Sequence, residues 1–275
     1  MRIMFLGTSS GAGKTTMAAV YCRHLASKGV RTAPFKASNL SLNSYATSEG
    51  GEIGMGQAFQ AWACGAEPSV EMNPVLLKPS GGRMQVILRG RPFAEASVGQ
   101  DPDTEMMAAE AFRAFDSLSS RYDAVVCEGS GSPAEINLLD RDIANMRMVR
   151  ERGIPAVLVA DIERGGVFAV IYGTWRLIPE EDRHLLRGFI INRFRGDPSL
   201  LRSGIERMEE LTGMKCLGVM PYADLRFPEE DSLSEGRGRL EGGDLRGAFM
   251  DNLDELLEIA RESLDMRALD RIAGG

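Results

Sequence analysis

Lys14, Thr15, Lys36 and Glu128 are the side chains of this sequence best suited to handling phosphate. Lys14 and Thr15 close a glycine-rich stretch, GTSSGAGKT, that begins at Gly7. Backbone N–H groups of Thr8, Ser10, Gly11, Ala12 and Gly13 and a helix start at Lys14 would converge there on one small volume, which favours an anion. The Lys14 amine would reach the terminal phosphates of a nucleotide, and the Thr15 hydroxyl, followed by Thr16, would sit on the magnesium ion bridging them. The usual G-x-x-x-x-G-K-[ST] spacing asks for glycine at position 8, but the chain has Thr8 there and its glycine one residue earlier. The loop is therefore a variant.

The elements that must position these groups are readable around them. Residues 2–6 form an apolar run that predicts a buried strand, and Met17, Val20, Tyr21 and Leu25 predict a helix over residues 14–28, capped by Gly29. Residues 30–35 read as a second strand, parallel to the first. The polar stretch 36–56 begins at that strand's carboxyl end, the edge where open α/β sheets bind ligands. Lys36 and Glu52 are thus candidates for phosphate and magnesium contacts, or a solvated lysine and glutamate.

An alanine-rich helix over 57–64 follows, with short strands over 73–80 and 84–90. Lys78, Arg83, Arg89 and Arg91 along this insertion make either a docking surface for a carboxylate-rich substrate or a solvated basic face. An amphipathic helix over 103–120 leads into the strand 122–127, which delivers Glu128 as an acid for magnesium, bound directly or through water. The strand 155–160 delivers Asp161, and the strand 188–191 ends in Asn192 and Arg193, where an asparagine meets a nucleotide base or makes a turn. A helix over 199–212 with Ser199 as N-cap, a strand over 216–220, an aperiodic stretch from 221 and a helix over 248–269 complete the chain. This alternation predicts an α/β P-loop NTPase with a mostly parallel, doubly wound sheet flanked by helices. Residues 1–225 form the nucleotide-dependent domain and 226–275 a linker and C-terminal helix.

A chain of 275 residues with 44% hydrophobic and 26% charged content suits one large α/β domain with an appendage. The net charge of -7 and the lack of a long basic run argue against nucleic acid or an anionic membrane as partner. The four scattered cysteines, without a C-x-x-C pair, fit free thiols in a reducing cytoplasm. No apolar run is long enough to cross a bilayer.

Several separated stretches, GTSSGAGKT, FKASNLSLNS, GGEIG, NPVLLKP, EGSGSPAEINLLDRDIANM, VADIERGGVFA, GFIINRFRGD and PEEDSL, together resemble the ATP-dependent amidation domain of cobyric acid synthases, within the wider dethiobiotin synthetase-like group. The resemblance runs through about the first 230 residues. Ser9 stands where the partition-type and septum-placing ATPases resemble one another in carrying a second lysine, which sets the chain apart from that dimerising branch.

The resemblance implies ATP and Mg2+ as cofactors and a cobalamin-pathway reaction. ATP phosphorylates a side-chain carboxylate of adenosylcobyrinic acid a,c-diamide, and ammonia displaces the phosphate to leave an amide. It implies Lys14, Lys36, Glu128 and Asp161 as the catalytic set and Thr15, Glu52 and Glu128 on the metal. Asn39, Ser41, Asn43, Glu135, Asn137 and Asp142 fall on the side of a corrinoid substrate.

Family members continue into a glutaminase domain, whereas this sequence stops first. The expectation is an amidation unit without glutaminase activity, fed with ammonia from solution or from a separate glutaminase subunit. Homodimers occur in the wider group, but no residue here specifies one. Two other readings stay open: amidation of another tetrapyrrole, as in cobyrinic acid a,c-diamide synthase, and a nucleotide-binding regulatory protein that does not amidate.

Overall fold

The computed structural model describes residues 1–97, 103–226 and 244–275. The chain opens with β1 (Arg2–Gly7), α1 (Lys14–Ser27) and β2 (Thr32–Phe35). Three short strands, β3 (Ser38–Leu40), β4 (Ser44–Ala46) and β5 (Glu52–Gly54), lead into α2 (Met55–Ala63). Next come β6 (Val75–Ser80), β7 (Arg83–Leu88), β8 (Arg91–Ser97), α3 (Thr104–Arg121) and β9 (Ala124–Glu128). The remaining alternation is α4 (Met146–Arg152), β10 (Ala156–Asp161), α5 (Val167–Leu177), β11 (Leu186–Phe194), α6 (Arg202–Thr212) and β12 (Lys215–Pro221), closed by α7 (Leu245–Ser263) and α8 (Met266–Gly274).

Six strands make one parallel sheet in the order β12-β11-β10-β1-β9-β2. The inner strands are buried on both faces, which is why they read as continuous apolar runs. On one face α3, α4, α5 and α6 cover the sheet through Phe115, Met148, Ile171 and Met208. On the other, α1, α2, α7 and α8 pack around Tyr21, Phe59, Phe249 and Leu269. The predicted doubly wound sheet is present, with the strand after α1 parallel to β1 as expected. The strand after α1 lies at the edge, because β9 sits between it and β1. In that register Phe5 lies opposite Glu128 and Asp161 opposite Asn192, so the acids reach the same sheet edge as the phosphate loop.

The stretch 36–56 is more ordered than its composition suggests. Its β3 pairs in parallel with β6, and the antiparallel β7 and β8 extend this into a second sheet, β3-β6-β7-β8. The strand Arg91–Ser97 had no counterpart in the sequence reading. Ser199 is not an N-cap as expected. Asp197 accepts from the Ser199 N–H, and a 3-10 turn, Pro198–Leu201, precedes α6.

The single C-terminal helix expected over 248–269 is two. The chain breaks at Leu264, which bridges Gly218 of β12, and Asp265 N–H donates to the Leu217 carbonyl at 2.7 Å. Asp265 then caps α8 by accepting from Ala268 N–H. Gly218 has φ +135°, and a Cβ there would overlap the Ser263 carbonyl, so this junction needs glycine. The PEEDSL stretch lies outside the described residues, as does most of the expected linker.

Candidate functional site

The phosphate loop joins β1 to α1, and α1 has no side-chain N-cap, which leaves its first N–H groups facing the loop. Lys14, Thr15 and Thr16 are buried in that first turn. The Lys14 amine folds back to donate to the Ser9 carbonyl at 3.0 Å. A Cβ at position 7 would lie 2.8 Å from both Lys14 Cδ and the Ser9 carbonyl oxygen. The displaced glycine of the variant motif is thereby explained: the lysine stem crosses over Gly7. Thr8 N–H ties the loop to the Val159 carbonyl of β10 at 3.0 Å. Gly11 and Gly13 take φ values of +69° and +100°, open to glycine and strained for other residues.

Beneath the loop, Glu128 is fully buried and accepts from four side chains. Its Oε1 takes the Thr15 hydroxyl and the Lys36 amine, each at 2.8 Å. Its Oε2 takes Gln60 Nε2 at 2.6 Å and Gln57 Nε2 at 3.5 Å. Lys36 and Glu128 form an ion pair with side-chain exposures of 3% and 0%, stable inside a protein only because hydrogen bonds also satisfy the carboxylate. The Thr15 hydrogen goes to Glu128, so the oxygen's lone pairs are what that hydroxyl offers a cation. No group of three His, Cys, Asp or Glu side chains suited to a metal occurs among the described residues. A magnesium ion here would therefore depend on the hydroxyl, a carboxylate and phosphate oxygens, as in a nucleotide-bound ion.

The opposite flank of the loop is clamped from β11. Asn192 Nδ2 donates to the Ala12 carbonyl at 3.0 Å, and Arg193 Nη1 donates to the Gly11 carbonyl at 2.6 Å. The same guanidinium pairs with Asp161 Oδ2 at 2.6 Å, while Asp161 Oδ1 accepts from Glu163 N–H. Arg193 holds this position with φ +63°. The expected strand-end asparagine is thus found supporting loop backbone. Beside it, Thr16, Asn192, Arg193, Pro221, Ala223 and Leu225 line a small cavity next to the first turn of α1.

The residues expected on the substrate side are less uniformly placed. Asn39 is buried and donates to Gln57 Oε1 at 3.3 Å. Ser41 is buried and exchanges hydrogen bonds with the Asn43 backbone, while the Asn43 side chain is exposed. Glu135 and Asn137 are exposed at the start of a 3-10 turn, Ile136–Arg141, that buries no side chain. Asp142 accepts from the N–H groups of Ala144 and Asn145, organising the entry to α4, and burial pushes its carboxyl above the usual range.

Glu52 pairs with the Lys78 amine, which also reaches Ser44 Oγ at 3.4 Å. The basic insertion is largely compensated within the fold. Arg83 pairs with Glu95, and Arg89 approaches Glu71 and Glu110, so Lys78, Arg83 and Arg89 all face acids among the described residues.

The sequence profile of the CobQ/CobB/MinD/ParA nucleotide binding domain matches residues 3–233. The chain belongs to this family. A probable cobyric acid synthase of Methanoculleus marisnigri is 51% identical over 91% of this chain and 52% of its own length. One from Methanocella arvoryzae is 50% identical over 98% of this chain and 55% of its own. A cobyric acid synthase of Thermosynechococcus vestitus is 48% identical over 89% and 50%. The chain spans about half the length of the curated relatives it matches.

As a member of this family the chain has a nucleotide-binding domain, and the geometry around the glycine-rich loop adds two residues that sequence reasoning passed over. Gln57 and Gln60 sit three apart on α2, a helix otherwise made of small and apolar side chains, and both are fully buried. That contrast, two amides on the inner face of a helix that packs like core, was the available signal. His24 pairs with Asp270 of α8, and His184 bonds the Glu181 carbonyl. No described helix is long and apolar enough to cross a membrane.

Proposed function

We propose that this domain binds ATP with magnesium and transfers the terminal phosphoryl group to a side-chain carboxylate of adenosylcobyrinic acid a,c-diamide, which ammonia then amidates toward cobyric acid. The observation that carries the reading is the buried Lys36–Glu128–Thr15 constellation under a phosphate loop already clamped in shape by Asn192 and Arg193. A carboxylate attacking a terminal phosphate is already a nucleophile, so the site must neutralise charge more than it must move protons. Lys14 and Lys36 would do so.

The substrate carboxylate oxygen attacks the terminal phosphorus and ADP leaves. Ammonia then attacks the acyl carbon, phosphate departs with the electron pair of the broken C–O bond, and the nitrogen loses a proton. A magnesium ion, when bound, would be held by the Thr15 hydroxyl with Glu128 and Glu52 beside it, and would supply further positive charge to the phosphates. Glu52 would exchange its Lys78 partner for that ion. Asp161 orients the substrate or ammonia from the loop's far side, and Asn39, Ser41, Asn43, Glu135, Asn137 and Asp142 form the acid-substrate side. Ammonia arrives from solution or from a glutaminase subunit, and the relatives' names supply the corrinoid as substrate class.

The test is incubation of the purified chain with ATP, magnesium and cobyrinic acid a,c-diamide, with ammonium or glutamine, followed by mass spectrometry of the corrinoid. Exchange of a hydroxyl for an amine, coupled to ADP formation, is expected with ammonium. Steady ATP consumption with an unchanged corrinoid mass would defeat the substrate assignment, and glutamine's ability to replace ammonium would locate the nitrogen source.

A further inference from the structure

We propose that Gln60 is a positioning residue for the metal side of this site, acting through Glu128 on the Thr15 hydroxyl. The inference rests on the magnesium–nucleotide reading above. Gln60 is fully buried on α2, and its Nε2 makes the shortest of the four hydrogen bonds to Glu128, 2.6 Å to Oε2. The same nitrogen lies 3.5 Å from the Thr15 backbone carbonyl, so one amide touches both members of the Thr15–Glu128 pair. Its other half is left over. Gln60 Oε1 is buried with no hydrogen-bond partner among the described residues, which is unfavourable for a side chain serving only to fill space. The amide is held for its N–H, and that N–H points at the carboxylate.

The consequence follows from Thr15 having one hydroxyl hydrogen. While Glu128 Oε1 accepts that hydrogen, the threonine oxygen presents only lone pairs, the form that ligates a cation. A carboxylate released at Oε2 would turn, and the hydroxyl would be free to point its hydrogen toward the cation position. Groups that fix a ligand's hydrogen bonding in this way commonly set metal affinity. Gln57 is the weaker tie, since it reaches Oε2 at only 3.5 Å and is shared with Asn39. Distance therefore ranks the two glutamines, Gln60 first.

Calorimetric binding of a non-hydrolysable ATP analogue, with magnesium and in EDTA, tests this ranking on the intact chain. Gln60→Met keeps the length of the side chain and removes the donor. It should weaken magnesium-dependent binding by about 10–100-fold and leave metal-free binding within about twofold of the parent. Gln60→Asn, which keeps an amide but withdraws it from Glu128, should give the same pattern and serves if the Met variant does not fold. Gln57→Met should weaken magnesium-dependent binding less than either Gln60 variant does, in line with its longer contact to Glu128. Parent-like magnesium binding in either folded Gln60 variant overturns the proposal. So does a parallel loss with and without metal, which would mark Gln60 as structural. A parent chain whose analogue binding ignores magnesium would instead remove the underlying metal reading.

Discussion

Around Glu128 each charge has been met inside the protein by an opposite charge or a buried amide, whereas the Ile136–Arg141 turn, on the loop that leaves the same strand, buries no side chain at all. Ile136, Leu138 and Leu139 are exposed there, at 61%, 45% and 38%. The two regions begin at one strand end yet follow opposite strategies. Between them Gly129 allows the chain to pass Asn145 and Leu6, where a Cβ would overlap the Asn145 side chain, and Asn145 then bonds both backbone groups of Ser130. The pinned segment separates a side organised by folding from an exposed side that, on the function proposed here, would be completed by the acid substrate. Ordering costs are met on the first side before binding, which favours tight, geometry-specific contacts.

The comparison breaks most sharply at Lys36. Lys36→Met would leave Glu128 buried without its cation, and the stability loss should be about 3–5 kcal/mol. Denaturant unfolding reads it, and the double variant Lys36→Met/Glu128→Gln should recover most of the loss because no buried charge remains. A Lys36→Met protein as stable as its parent would show that the enclosed side is not organised by this pair.

Arg193→Ala acts on the same enclosed side at the loop's other flank. The Gly11 carbonyl loses a donor and Asp161 loses its cation, although Asp161 keeps the Glu163 N–H. A loss of about 1.5–3 kcal/mol is expected for a hydrogen bond to a charged group. Nucleotide affinity should fall with it, since the loop's shape depends on this contact. A variant that lost stability while binding nucleotide like the parent would detach the clamp from the loop.

How much of this was legible in the sequence divides along the same line. Glu128 and Asp161 announced themselves because a continuous apolar strand ends abruptly in an acid, and Lys14 and Thr15 because they close a glycine-rich stretch at a helix start. The strand order, the β8 strand and the break at Leu264 did not, because each depends on a partner far along the chain. Gly218 had no local reason to be glycine until Ser263 was placed against it. Gln57 and Gln60 were passed over for a related reason: a buried amide becomes informative only when its acceptor is known.

A smaller effect is expected where α8 closes over α1. Burial raises the Asp270 carboxyl, but hydrogen bonds from Lys28, His24 and Tyr21 outweigh it and hold the group below its usual range. A lowered carboxyl stabilises the fold above its unfolded value near about pH 4 and loses that contribution as pH falls through the folded value. Asp270→Asn should cost about 1 kcal/mol at neutral pH, given its partly exposed partners. The gap between variant and parent should close on acidification, as thermal melts across pH would record. A gap that widened below pH 4 would reverse the sign of this contact.

The smallest stability effect should come from the open side, and its smallness is what gives it meaning. Leu138→Ser removes an exposed apolar group, so unfolding should change by no more than about 0.5 kcal/mol and nucleotide binding should not change. If the turn is completed by the acid substrate, the same substitution should raise the KM for that substrate with little effect on kcat, because contact with a non-reacting part of the ligand contributes equally to ground and transition states. A fall in kcat at constant KM would place Leu138 against the reacting groups. No kinetic change at all would mean that the turn faces something other than the acid, and the contrast between the two regions would then concern stability alone.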